Sequence, residues 1–214
     1  MMNAIEDYFL TIEAIVRGAE LKVKGSRFIP DLLPVTNKEE IESALSRIRK
    51  EFHDATHHCY AYRLGEKGLL LRAADDGEPS GTAGRPILLQ ITSAKLTNVL
   101  LVVTRYYGGT NLGTGGLARA YGEAAHLAIA AATIKKVYQT EQVTLKASYH
   151  DVAALERYLL HEQARIVNSI YEEDVRFTVE IRSSMKERML SEITDAFGGR
   201  VTISFENQGT PLHP

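Results

Sequence analysis

Apolar positions along the first 136 residues follow two rhythms. Ile41, Ala44, Leu45, Ile48 and Phe52 recur every three or four residues, which predicts a helix ending near Phe52. Asn37 is its expected N-cap, and Glu39, Glu40 and Glu42 fall in the first turns, where the helix dipole favours negative charge. Around it the pattern is that of strands. Ile12–Val16 and Arg27–Val35 are two, with a turn at Gly25-Ser26, and His57–Leu64 and Leu69–Ala74 are two more, joined across Gly65 to Gly68. Thr97–Tyr107, with its run Val99-Leu100-Leu101-Val102-Val103, reads as a buried strand. Asp75 to Arg85 forms a loop, and Pro86 suits the first position of the following helix. Leu117–Thr133 is an alanine-rich helix whose small side chains allow close approach to a sheet.

From Val137 the order is strand, helix, strand, strand, helix, strand: Tyr138–Ser148, Val152–His161, Arg165–Tyr171, Asp174–Ile181, Met185–Phe197 and Arg200–Phe205. Val175, Phe177, Val179 and Ile181 alternate cleanly, and Asp195 to Gly199 is a good helix stop. That order is the ferredoxin-like one, a small sheet with two helices on one face. Two domains are therefore expected, 1–136 and 137–214, in an α+β chain.

Charge supports the same division. Up to Lys136 there are 17 basic and 15 acidic residues, and from Val137 onward 8 and 12. The whole chain of 214 residues carries a formal charge of −2, which argues against a wholesale nucleic-acid sponge or a basic membrane tail and leaves room for a local basic patch. The longest apolar runs fall far below the ~20 residues that span a bilayer. Met1 to Tyr8 is short, polar and acidic, without the pattern of a signal or transit peptide, so a cytoplasmic protein is expected. One cysteine, Cys59, excludes an intramolecular disulfide and any multi-cysteine zinc site.

Most glycines lie in the first part, in two stretches that hold the candidate chemistry. The first is Asp75-Asp76-Gly77-Glu78-Pro79-Ser80-Gly81-Thr82-Ala83-Gly84-Arg85. Its backbone can turn successive N–H groups toward one point, an anion nest ahead of a helix. Equally, Asp76 and Glu78 can accept the loop's own N–H groups while Arg85 pairs with one of them. The second runs from Arg105-Tyr106-Tyr107-Gly108-Gly109 through Asn111 to Gly116 and Arg119, a strand feeding a glycine-rich loop and then a helix. Gly113 to Ala118 satisfies G-x-G-x-x-A, but no dinucleotide-type βαβ context follows, and no Walker A sequence is present. Arg105 and Arg119 can hold a phosphate or carboxylate, or form salt bridges with Asp75, Asp76 or Glu78. Tyr106 and Tyr107 beside Arg105 offer stacking surfaces. Tyr60 and Tyr62 share a strand face and read as core.

His57 and His58 are adjacent in a strand and point to opposite faces, so they cannot both bind one ion simply. One could join Asp75, Asp76 or Glu78 around a divalent metal; a hydrogen-bonded histidine beside a polar loop is the simpler account, and no metal or cofactor is expected. Cys59 reads as a small buried hydrophobe rather than a nucleophile, and Ser80 has no nucleophile-elbow context.

The run Asp75 to Ile87, the sequence Arg105 to Gly109 with Leu112-Gly113, and the strand His57-His58-Cys59-Tyr60-Ala61-Tyr62 together resemble the IMPACT family, in its bacterial YigZ-like branch. The resemblance extends over essentially the whole chain. It implies an N-terminal βαβ domain of the type shared by a ribosomal-protein domain and the GHMP kinases, then a ferredoxin-like domain similar to the last domain of elongation factor G. Eukaryotic relatives act in translational control by binding a ribosome-associated activator of the amino-acid-starvation kinase. This chain is expected to lack their ubiquitin-ligase-like N-terminal domain, so the resemblance carries over a translation-associated role and no catalytic residues. The expectation is a regulatory or binding protein that meets the ribosome, RNA or a protein factor through Asp75, Asp76, Glu78, Ser80, Thr82, Arg85, Arg105, Tyr106, Tyr107, Gly108, Gly109, Asn111 and Arg119. The alternative is a nucleotide- or metal-dependent enzyme that uses the acidic Asp75–Glu78 loop.

Overall fold

A computed structural model describes residues 7–205. Most of the Met1–Tyr8 stretch, and the ends of both expected domains at residues 1–6 and 206–214, lie outside the described residues. The chain divides into two compact units, one of residues 8–137 and one that holds Asp7 and residues 138–205.

In the first unit, β1 (Tyr8–Ile12), β2 (Val16–Arg17), β3 (Leu21–Val23) and β4 (Ser26–Pro34) precede helix α1 (Lys38–Glu51). The expected strand Ile12–Val16 thus falls across a break between β1 and β2, where Glu13 donates its N–H to the Thr133 carbonyl instead of to a sheet neighbour. Helix α1 starts as expected: the Asn37 side chain accepts the Glu40 N–H at 2.8 Å, and Glu40 reaches back to the Thr36 N–H at 2.7 Å. The remaining elements are β5 (His57–Leu64), β6 (Leu70–Ala74), α2 (Gly84–Ser93), β7 (Val99–Tyr106), α3 (Gly113–Ala130) and β8 (Ile134–Tyr138).

The main sheet has the order β2-β4-β7-β5-β6, with β3 also paired to β4. The pairs β4–β7, β5–β7 and β5–β6 are all antiparallel, and β1 pairs with β8 in a separate two-stranded sheet. Sequence alternation decides which helix covers which face. Leu33, Tyr60, Tyr62, Leu100 and Val102 pack with Ile41, Leu45 and Ile48 of α1. Phe28, Cys59, Ala61, Leu101 and Val103 pack with Ile87 and Ile91 of α2 and the small residues of α3. Because both faces are covered, β7 is a continuous apolar run. Since β6 and β7 are both antiparallel to β5, they end at the same edge of the sheet, and the helices that follow them, α2 and α3, both begin there.

The second unit contains β9 (Thr140–Ala147), α4 (Tyr149–His161), β10 (Arg165–Tyr171), β11 (Val175–Arg182), α5 (Lys186–Ala196) and β12 (Thr202–Ser204), in the antiparallel sheet order β10-β11-β9-β12. Alternate residues of β9 and β11 form its core with Leu155 and Leu159 of α4 and Met189 and Ile193 of α5, so both helices cover one face. This is the ferredoxin-like arrangement. The strand expected over Tyr138–Ser148 is split into β8 and β9, because Gln139 turns its N–H to the Asp7 carbonyl.

Candidate functional site

The shared edge where β6 and β7 end gathers both glycine-rich stretches. Asp75 follows β6, and its carboxylate accepts the N–H groups of Gly81 at 2.8 Å, Ala83 at 3.0 Å and Gly84 at 2.9 Å. It thereby caps α2, which begins at Gly84, so Pro86 is the third helical residue rather than the first. Gly81 presents its N–H to Asp75 from a left-handed conformation, φ +76, that a side chain would strain. The amides expected to cradle an external anion are filled by the loop's own carboxylate. Burial opposes the charged form of Asp75, but the three N–H bonds outweigh it and hold the carboxyl below its usual range.

Asp76 sits at φ +45 and accepts the His58 N–H at 2.7 Å through one oxygen, with Arg49 3.4 Å from the other. His57 Nδ1 lies 2.8 Å from the Asp76 carbonyl, which assigns the proton to Nδ1. His58 points the other way, its Nε2 3.1 Å from the Phe52 carbonyl, and burial lowers its pKa.

Glu78 is the centre of the site. Its carboxylate is buried and accepts from Arg105 Nη1 at 2.5 Å and from the Tyr121 hydroxyl at 2.8 Å, both through Oε1, with His57 Nε2 at 3.8 Å. Arg105 also donates to Ser26 Oγ at 3.1 Å, and its guanidinium lies over the rings of Phe28 and Tyr107, 5.3 and 5.5 Å from their centroids. Its Nε is buried without a partner among the described residues, as is Thr104 Oγ1. The Cys59 thiol lies 3.0 Å from the Asp75 carbonyl oxygen and 3.3 Å from the Tyr121 hydroxyl; burial pushes its pKa up to about 12, so it is no thiolate nucleophile at neutral pH.

The second stretch is shorter as a loop than its glycines suggest. Helix α3 begins at Gly113, so Gly113 to Gly116 form its first turn and only Tyr107 to Leu112 connect strand to helix. Leu112 at its N-cap has no side-chain acceptor to offer, and among the described residues no other side chain accepts from that turn. Gly108 packs directly on the Gly25 backbone, where a Cβ would come within 1.9 Å, and donates its N–H to Ser26 Oγ at 3.2 Å. Tyr106 donates its hydroxyl to Asp54 at 2.7 Å, while Tyr107 is exposed and donates to Asn111 at 3.2 Å.

The thirteen expected residues therefore separate. Asp75, Asp76, Glu78, Arg105 and Tyr106 are engaged with the chain itself, and Thr82 is buried with its hydroxyl on the Pro79 carbonyl. Ser80, Tyr107, Gly109, Asn111, Arg85 and Arg119 are exposed, and Gly108 is an exposed residue held at the turn. Arg85 and Arg119 both line a depression of about 950 Å³ between α2 and α3, and neither is within salt-bridge distance of a carboxylate among the described residues. Sequence reading missed Tyr121 and Ser26. Tyr121 had a signal: it is the one tyrosine in a helix made mostly of glycine and alanine, on the face shared by Leu117, Ala124 and Ala125.

An α+β chain in which a mixed helix-and-sheet unit precedes a ferredoxin-like one defines the class, and residue-level comparison agrees. Residues 24–129 match the model of the Impact N-terminal domain and residues 145–200 that of a domain of unknown function, DUF1949. The IMPACT family member YigZ of Escherichia coli (strain K12) is 33% identical over 184 residues, 85% of this chain and 90% of that protein. The member YvyE of Bacillus subtilis (strain 168) is 32% identical over 204 residues, 93% and 91% of the two chains. A crystal structure of a hypothetical protein superposes with a TM-score of 0.64 at 30% identity, covering 94% of this chain and 98% of the other. The chain belongs to the IMPACT family.

Proposed function

We propose that this protein is a translation-associated binding protein of the cytoplasm that meets the ribosome, its RNA or a protein factor through the exposed part of the glycine-rich edge. Family membership supports the biology. The observation that supports the surface is the first turn of α3: among the described residues no side chain caps its amides and Arg119, one turn further along, has no carboxylate partner, while exposed Tyr107 and Asn111 stand on the loop before it. Backbone N–H groups at a helix start favour an anion, a guanidinium adds charge and hydrogen-bond direction, and a tyrosine adds a face for stacking.

The Asp75–Glu78 carboxylates, in contrast, are engaged as acceptors from three backbone amides, from the His58 amide, and from Arg105 and Tyr121. Their engagement within the loop favours the binding reading over one in which they act as base or metal ligands. The surface reading is tested by co-sedimentation with ribosomes at low and moderate salt. The chain is expected in the ribosomal pellet at low salt, partly released at moderate salt as phosphate contacts are screened, and Arg119→Glu is expected to remain in the supernatant. Absence from the pellet at both salts overturns the proposal.

A further inference from the structure

Strand β6 ends the main sheet, and β5 is its sole partner there among the described residues. An open edge is normally blunted by proline, lysine, a bulge or a covering element. The β6 sequence Leu-Leu-Arg-Ala-Ala has a single charge, Arg72, no proline, and an unbroken register against β5. Its leucines are also unusually open: Leu70 is 45% exposed and Leu71 48%, with Leu69 just before the strand at 81% and Leu89 on neighbouring α2 at 60%. The register sorts the two faces. Ala73 pairs with Ala61, which packs under α2 and α3, so Leu71 lies on that side and lines the same depression as Leu89 and Arg85. Arg72 pairs with Tyr62, which packs on α1, and so lies on the opposite side.

We infer that the free edge of β6 is a strand-addition site for an extended segment of another protein in which apolar residues alternate with acidic ones. This goes beyond the ribosomal reading and does not depend on it. Main-chain hydrogen bonds to the edge supply affinity, and the period of two places every second side chain over Leu71 and Leu89 while the others meet Arg72. Charge selects the occupant. Arg72, on the side that receives the alternate residues, has no carboxylate partner within salt-bridge distance among the described residues. A second copy of this chain fits poorly, because Arg72 is the midpoint of β6: antiparallel self-pairing about that midpoint sets Arg72 against its twin, and like charges directly opposite destabilise a sheet.

The test uses the full chain and a fluorescent peptide of about eight residues, within the usual range of strand lengths, that alternates valine with glutamate, beside one that alternates valine with lysine. The glutamate peptide is expected to bind, to slow amide exchange in β6, and to lose about tenfold or more in affinity with Leu71→Glu and with Arg72→Glu, while both variants keep the wild-type circular dichroism. Arg72→Glu is expected to gain affinity for the lysine peptide. Equal binding of both peptides by the wild-type chain, protection confined to the helices, or no binding overturns the inference. A peptide-free dimer that protects β6 overturns it in favour of self-pairing.

Discussion

Replacing Arg105 with alanine is expected to cost the first unit about 3–5 kcal/mol, because it leaves the Glu78 carboxylate buried without its cation. Both side chains of the pair are no more than 5% exposed, so the carboxylate left behind lies away from bulk solvent. A folded unit has only about 5–15 kcal/mol in hand, so the loss is a large fraction of the whole. Tyr121→Phe, which removes one of the two donors to Glu78 and leaves the charge pair, is expected to cost less, about 1–2 kcal/mol. The double variant Arg105→Met with Glu78→Gln removes both charges and is expected to be more stable than Arg105→Ala alone. Urea unfolding followed by a probe in the first unit measures all three. An Arg105→Ala midpoint equal to wild type would mean that the buried pair contributes nothing.

Asp75→Ala is the second large effect, expected at about 2–3 kcal/mol, since a helix cap and three bonds to a charged acceptor are lost together. Its pH dependence has a definite sign. The folded-state pKa of Asp75 lies below the usual 3.8, so the stabilisation is fully present above that value and disappears as pH falls through the folded pKa. The gap between wild type and Asp75→Ala should therefore be constant near neutrality and narrow progressively below about pH 3.8. Thermal unfolding of both proteins across that range checks it, and a gap that widened in acid would contradict the capping role.

Local features were legible in the sequence because local physics decides them. Asn37 with its following glutamates caps α1, Tyr60 and Tyr62 share a buried face, and Val175, Phe177, Val179 and Ile181 alternate into the core along β11. The second unit's element order also defined its topology. Tertiary choices were not legible. Three arginines could have paired with Glu78, and the selection of Arg105, 27 positions away, depends on β7 lying beside β5. Gly113 to Gly116 looked like loop because glycine costs about 1 kcal/mol per residue in a helix; packing of Leu117, Ala120 and Tyr121 into the core carries α3 through them regardless. Of the two readings of the first loop, an external anion or the loop's own carboxylates Asp76 and Glu78 on its amides, neither named the acceptor found: Asp75 takes those amides, while Asp76 takes the His58 N–H and Glu78 takes Arg105 and Tyr121.

Cys59 gives the molecule a built-in reporter. This sole thiol has no exposed surface, adjoins the Tyr121 hydroxyl and belongs to the sheet between the two helical layers. An alkylating reagent can reach it only when that architecture separates, so the speed at which the native protein is labelled counts its excursions out of the closed state. No engineered probe is needed to watch the centre of the site come apart.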